Sequence, residues 1–66
     1  MNFEQILTEL KNQKPVARKS WKTFDWIYLN NEIFIAVWDE FGFYESTFYN
    51  LTSEDILAND WIVLEN

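Results

Sequence analysis

The chain has no cysteine and no histidine, one glycine and one proline. Each shortage excludes something. Without cysteine there is no disulfide and no thiolate metal site. Without histidine there is no imidazole base, no common zinc site and no serine–histidine or cysteine–histidine nucleophile. A lone Gly42 rules out a glycine-rich phosphate loop. Long apolar runs are also missing, since nothing approaches the roughly 18 residues of a membrane span. Residues 1–5 lack the basic start and apolar stretch of a signal peptide. A cytoplasmic protein is therefore expected, away from membranes.

What is present is aromatic and acidic. Four tryptophans, six phenylalanines and three tyrosines stand in 66 residues with a net charge of −6. That is too apolar for a disordered chain. One domain over residues 1–66 is expected, with a single small core. Domains of this size are marginal alone and usually need a staple. With no disulfide or zinc site available, oligomerisation remains.

The charges are segregated. All five basic residues, Lys11, Lys14, Arg18, Lys19 and Lys22, lie in a stretch without a single acid. From residue 23 onward there are nine acids and no base. An acidic chain is poorly suited to duplex nucleic acid, whose affinity comes largely from phosphate neutralisation. A compact basic island suits a small anion better. Lysines that merely solvate a helix end and a turn are the competing reading.

The order of elements follows from periodicity. Phe3, Ile6, Leu7 and Leu10 form one helical stripe, with Asn2 and Gln5 in capping-box spacing and Pro15 as a stop. Strands are expected over 16–21, 26–29, 32–38, 43–49 and 61–64, with turns at Asn30–Asn31 and across 39–42. Thr52 and Asp55 have capping-box spacing for a short helical turn before the last strand. The predicted fold class is α+β: an N-terminal helix on a small antiparallel sheet.

In the middle strand Ile33, Ile35 and Val37 face one way, and Phe34, Ala36 and Trp38 the other. Both faces are apolar, and one short helix covers only one. Self-association through the second face is expected, against the alternative that a bent sheet wraps both faces into one core.

Two constellations carry chemistry. In the first, Arg18 offers a planar fork for phosphate, Lys19 and Lys22 add point charge, and Trp21 offers a stacking face. On one extended strand Arg18 and Trp21 point apart, so a turn after Ser20 or a second subunit would have to bring them together. Trp21 as a core residue is the alternative. In the second, Asn59 and Asp60 can meet a base or ribose near Asp55 and Trp61. Local capping by Thr52 and Asp55, a turn at Asn59 and a core Trp61 are the alternative. The adjacent acids Asp39–Glu40 and Glu54–Asp55 read as solvated turns rather than a catalytic pair. No enzyme activity, metal or cofactor is expected.

Residues 15–21, Pro-Val-Ala-Arg-Lys-Ser-Trp, and residues 55–61, Asp-Ile-Leu-Ala-Asn-Asp-Trp, together with the helix that starts at Phe3, resemble the Thoeris anti-defense 2-like family of small phage and prophage proteins. The resemblance spans nearly the whole chain. It implies a sponge that sequesters cyclic ADP-ribose isomers or cyclic dinucleotides without cleaving them, in the host bacterial cytoplasm. It also implies a homo-oligomer, a tetramer built as a dimer of dimers, with ligand pockets between subunits. By motif match Arg18 and Trp21, then Asp55, Asn59, Asp60 and Trp61, carry over as pocket or pocket-supporting positions. Three departures stand out: Gln13-Lys14-Pro15 replaces a usual glycine turn, residues 49–53 replace a tryptophan-proline-serine entry, and two loops are short. The rival expectation is an acidic, anti-CRISPR-like inhibitor that binds a host defence protein.

Overall fold

The computed structural model describes residues 1–64; Glu65 and Asn66, the end of the expected 1–66 domain, lie outside the described residues. Helix α1 runs Phe3–Lys11. Asn2 opens it with a reciprocal box: its side chain accepts from the Gln5 N–H, and the Gln5 side chain accepts from the Asn2 N–H, each at 2.9 Å. Ile6 and Leu10 are fully buried from its apolar stripe. The helix ends before Gln13, which takes a left-handed φ of 65°. That conformation suits glycine, and here glutamine adopts it. Lys14 then folds back onto Glu9, its ammonium 3.0 Å from the carboxylate.

Five strands follow: β1 Val16–Arg18, β2 Trp26–Asn30, β3 Ile33–Glu40, β4 Phe43–Phe48 and, after helix α2 Ser53–Leu57, β5 Trp61–Val63. They form one antiparallel sheet in the order β4-β3-β2-β1-β5. The α+β expectation holds, as does the short helix before the last strand. Boundaries moved for identifiable reasons. β1 stops at Arg18 rather than Trp21, because the Trp21 N–H closes a turn onto the Arg18 carbonyl at 3.1 Å. Both hairpins have two-residue loops with positive φ, Asn31 (49°) with Glu32 (70°) and Phe41 (53°) with Gly42 (88°). These are the loops whose twist matches paired strands. The first therefore lies one residue later than the asparagine pair implied.

Register assigns the faces. Val16, Ile27, Ala36 and Trp61 point toward α1 and close the core with Ile6 and Leu10. The helix lies over β5, β1, β2 and α2, and β3 meets it through the core around Ala36. Trp26, Tyr28, Ile33, Ile35 and Val37 occupy the opposite face, in the alternation expected for β3. Ile33, Tyr44 and Phe48 on that face remain exposed, so the sheet does not wrap it into a second core.

Two substitutions separate packing from turn strain. Ile27→Ala should cost about 2–5 kcal/mol, from lost transfer energy and a residual cavity. Phe41→Asn should stabilise by about 1 kcal/mol, because asparagine tolerates the left-handed region that phenylalanine resists. Urea unfolding of both variants checks the opposite signs.

Candidate functional site

The polar centre forms where β1 ends, β5 begins and α2 starts. Asp55 sits at the third position of α2 and completes its capping box: its Oδ2 accepts from the Thr52 N–H at 3.1 Å, and its own N–H donates to Thr52 Oγ1 at 3.2 Å. It is the one buried charged residue among the described residues, 2% exposed. Burial of a bare carboxylate is costly unless it is paired and hydrogen-bonded. Here both oxygens are engaged: Arg18 Nη1 donates to Oδ1 at 3.0 Å, and the Tyr49 hydroxyl donates to Oδ2 beside the Thr52 N–H. Arg18 Nε donates to Asp60 Oδ1 at 2.9 Å, while Asp60 Oδ2 accepts from the Ser20 N–H at 3.1 Å. The indole of Trp61 donates to the Asp55 carbonyl at 2.9 Å. No buried side-chain N or O among the described residues lacks a partner.

The electrostatics follow from these contacts. The hydrogen bond to Arg18, reinforced by the Ser20 N–H, holds the Asp60 carboxyl down at about 2. Burial alone would push Asp55 upward, but the bonds from Tyr49, Thr52 and Arg18 outweigh it and the net shift is downward. Burial, then the bond to Asp55, raises the Tyr49 phenol far above its ordinary value. The bond to Asp60 raises Arg18, which stays charged at any ordinary pH.

An aromatic wall stands beside this centre. Trp21 lies 5.3 Å from Trp61, 5.5 Å from Tyr49 and 6.2 Å from Phe24, between ring centroids. Phe24 continues the wall to Tyr49 at 5.6 Å and to Trp38 at 5.9 Å. Tilted and edge-to-face geometries dominate, as ring quadrupoles prefer. Trp21, Phe24, Trp38 and Tyr49 are partly buried, the first two and Tyr49 packing against the core, so the wall presents a partly exposed shelf. Among the described residues no closed pocket forms on the single chain.

The residues singled out from sequence separate into three groups. Arg18, Asp55, Asp60 and Trp61 are drawn together, but Asp55 and Trp61 are buried and Arg18 spends two donors on carboxylates. Trp21 reaches the same centre because the turn comes directly after Arg18. Lys19, Lys22 and Asn59 are exposed at this end; neither lysine has an ion pair among the described residues. Sequence reading missed Tyr49, Phe24 and Trp38. Their one signal was aromatic abundance, which carries no address. The adjacent acids also part company, with Asp55 buried and Glu54 exposed. No group of three or more acids among the described residues is arranged to hold a metal ion, and no described helix is long and apolar enough to cross a membrane.

The family model for the Thoeris anti-defense 2-like domain matches residues 1–64. No curated protein and no solved structure matches the chain.

Arg18→Ala should destabilise the fold by about 3–5 kcal/mol, since it strands a buried carboxylate. Lys19→Ala should change stability by no more than about 0.5 kcal/mol. Acid supplies a second check. Asp60 is held at about 2 against an ordinary 3.8, so its stabilisation is full above 3.8 and is lost as pH falls toward 2. Urea midpoints measured down that range should fall, and Asp60→Asn should flatten the Asp60 part of the slope.

Proposed function

The chain belongs to the Thoeris anti-defense 2-like family, an anti-defence family, and on that footing we propose that it is a phage sponge for a small cyclic nucleotide signal. The ligand is a cyclic ADP-ribose isomer or a cyclic dinucleotide, held in the host bacterial cytoplasm and not cleaved. The observation that carries this reading is an aromatic shelf beside two exposed cations. Lys19 and Lys22 face solvent at the end of the sheet where Trp21 stands. In this reading they meet the phosphates, and a base stacks on Trp21. Asn59, exposed at the same junction, meets a ribose or base edge. Arg18, Asp55, Asp60 and Trp61 hold the shelf in place. The chain supplies no histidine and no cysteine to attack a phosphate or glycosidic bond.

Magnitudes favour an assembly. Two solvated lysine–phosphate contacts contribute about 1 kcal/mol each, and a stacked base about 1–3 kcal/mol. Micromolar affinity needs about 8 kcal/mol. One partly exposed shelf therefore falls short, and closure by a second copy makes up the difference. The open sheet face carries that association in this reading, through Ile33, Ile35, Tyr44 and Phe48, toward a dimer of dimers.

The test is calorimetry and thermal shift against cyclic ADP-ribose isomers and cyclic dinucleotides, with ligand recovered after heating. A ligand at 100 times its dissociation constant should stabilise by about 2.7 kcal/mol. Lys19→Ala with Lys22→Ala should weaken binding at least tenfold and reduce its salt dependence. Altered ligand would make the protein an enzyme. No response across the panel would overturn the sponge and favour the second reading, an acidic inhibitor of a host protein; the exposed apolar side chains of the acidic β3–β4 hairpin favour that reading. In light scattering, wild type should run as an oligomer, and Ile33→Lys with Phe48→Lys as a smaller species.

A further inference from the structure

The β3–β4 hairpin has a use that the ion-pair centre does not absorb. Strand pairing sets Trp38 opposite Glu45 and Glu40 opposite Phe43. Paired residues share a face, and so do residues two apart. Trp38, Glu40, Phe43 and Glu45 therefore lie together on the side of the sheet where Phe24 meets Trp38 at 5.9 Å. This face continues the aromatic wall outward along the hairpin.

Among the described residues, Glu40, Phe43 and Glu45 on this face are exposed, and Trp38 is partly buried with Phe24 against it. The helix packs on β5, β1, β2 and α2. Phe43 is 75% exposed, and among the described residues it has no ring contact. Phe41 beside it is 94% exposed and takes a left-handed φ of 53° at the tip. Stability would favour asparagine or glycine at Phe41 and a polar residue at Phe43. Local rules broken together in this way mark sites that do something other than stabilise.

The chemistry on this face is specific. An exposed ring stacks on any base. Carboxylates on either side accept hydrogen bonds from hydroxyls and exocyclic amines, and they repel phosphate. The cations lie at the same end of the sheet, because β1 ends at Arg18 where antiparallel β2 begins and β3 ends. Two strand spacings, about 10 Å, separate β1 from β3. The end of the sheet is thus polarised, with cations on the β1 side and rings with acceptors on the hairpin side.

We infer that Trp38 and Phe43, flanked by Glu40 and Glu45, form a second binding surface that takes the uncharged part of a nucleotide, a purine base with its ribose. This rests on the reading of the site as a nucleotide site and adds the side of it that holds the base and ribose. Phosphates on Lys19 and Lys22 fix one end of the ligand, and the hairpin reads the other.

The probe is adenosine, which carries no phosphate, followed by quenching of tryptophan fluorescence and by calorimetry on the full chain. Wild type should bind adenosine weakly and without dependence on added salt. Phe43→Ala should weaken that binding about tenfold or more, with an unchanged urea midpoint because the side chain is exposed. Phe43→Tyr should retain it. Absence of adenosine binding, or binding indifferent to Phe43→Ala, overturns the inference. Loss of self-association in Phe43→Ala with adenosine binding intact also overturns it, and assigns the hairpin to a second copy. If adenosine binds through Phe43 while no cyclic nucleotide binds, the inference stands and the sponge reading fails.

Discussion

Everything at the candidate site of this protein hangs on one guanidinium shared between two carboxylates. Arg18 leaves β1 and donates to Asp55 on α2 and to Asp60 at the start of β5. Arg18 lies 37 and 42 residues from these two partners, which are near neighbours in sequence, and Tyr49 joins them through its bond to Asp55. Asp60 then captures the Ser20 N–H, which ends the strand and turns the chain. That turn is what delivers Trp21 onto Trp61 and Tyr49. Buried ion pairs are weak contributors to net stability, since desolvation offsets attraction. Their effect here is positional: they set where an aromatic shelf stands and which cations remain outside it.

Charge at this end is accordingly divided by role. Arg18 is neutralised twice over and belongs to the scaffold. Lys19 and Lys22, next along the chain, stay outside without ion pairs among the described residues. Of the acids at this end, Asp55 and Asp60 are taken up by Arg18, and Glu40 and Glu45 stand on the hairpin side. The protein thus keeps a net charge of −6 while offering a local cationic edge. A globally basic surface would invite nucleic acid through phosphate neutralisation. In the proposed reading, a small edge on an acidic body admits a small anion and disfavours a polymer.

Much of the fold was legible in the sequence, and the reasons are local. The helix could be read from Phe3, Ile6, Leu7 and Leu10 with an Asn2–Gln5 box, because cap and stripe act within a few residues. The two faces of β3 could be read because strand period is fixed. The end of β1 could not, since Asp60, a long-range partner, decides it. The loop at Asn31–Glu32 also escaped, because twist rather than asparagine content chose its residues. At the site, Arg18, Trp21, Asp55 and Asp60 were legible as two motifs, but not as partners of one another. Sequence reported Arg18 as a phosphate fork; the fold gives it two carboxylates. Strand period gave Trp38 its face but not its ring partners, and Phe24 and Tyr49 had no such signal, because an aromatic wall assembled from three separate segments has no period.

The most direct measurement is an amide-and-indole NMR titration of the protein with a cyclic ADP-ribose isomer. The four tryptophans are separate reporters. Trp21 and Trp38 stand on the shelf, Trp61 is buried behind it, and Trp26 lies on the opposite face of the sheet. The account predicts that the Trp21 and Trp38 indole signals and the Lys19 and Lys22 amides shift with ligand, while Trp26 stays still. Shifts confined to Trp26 and its face, or none at saturating ligand, would contradict it.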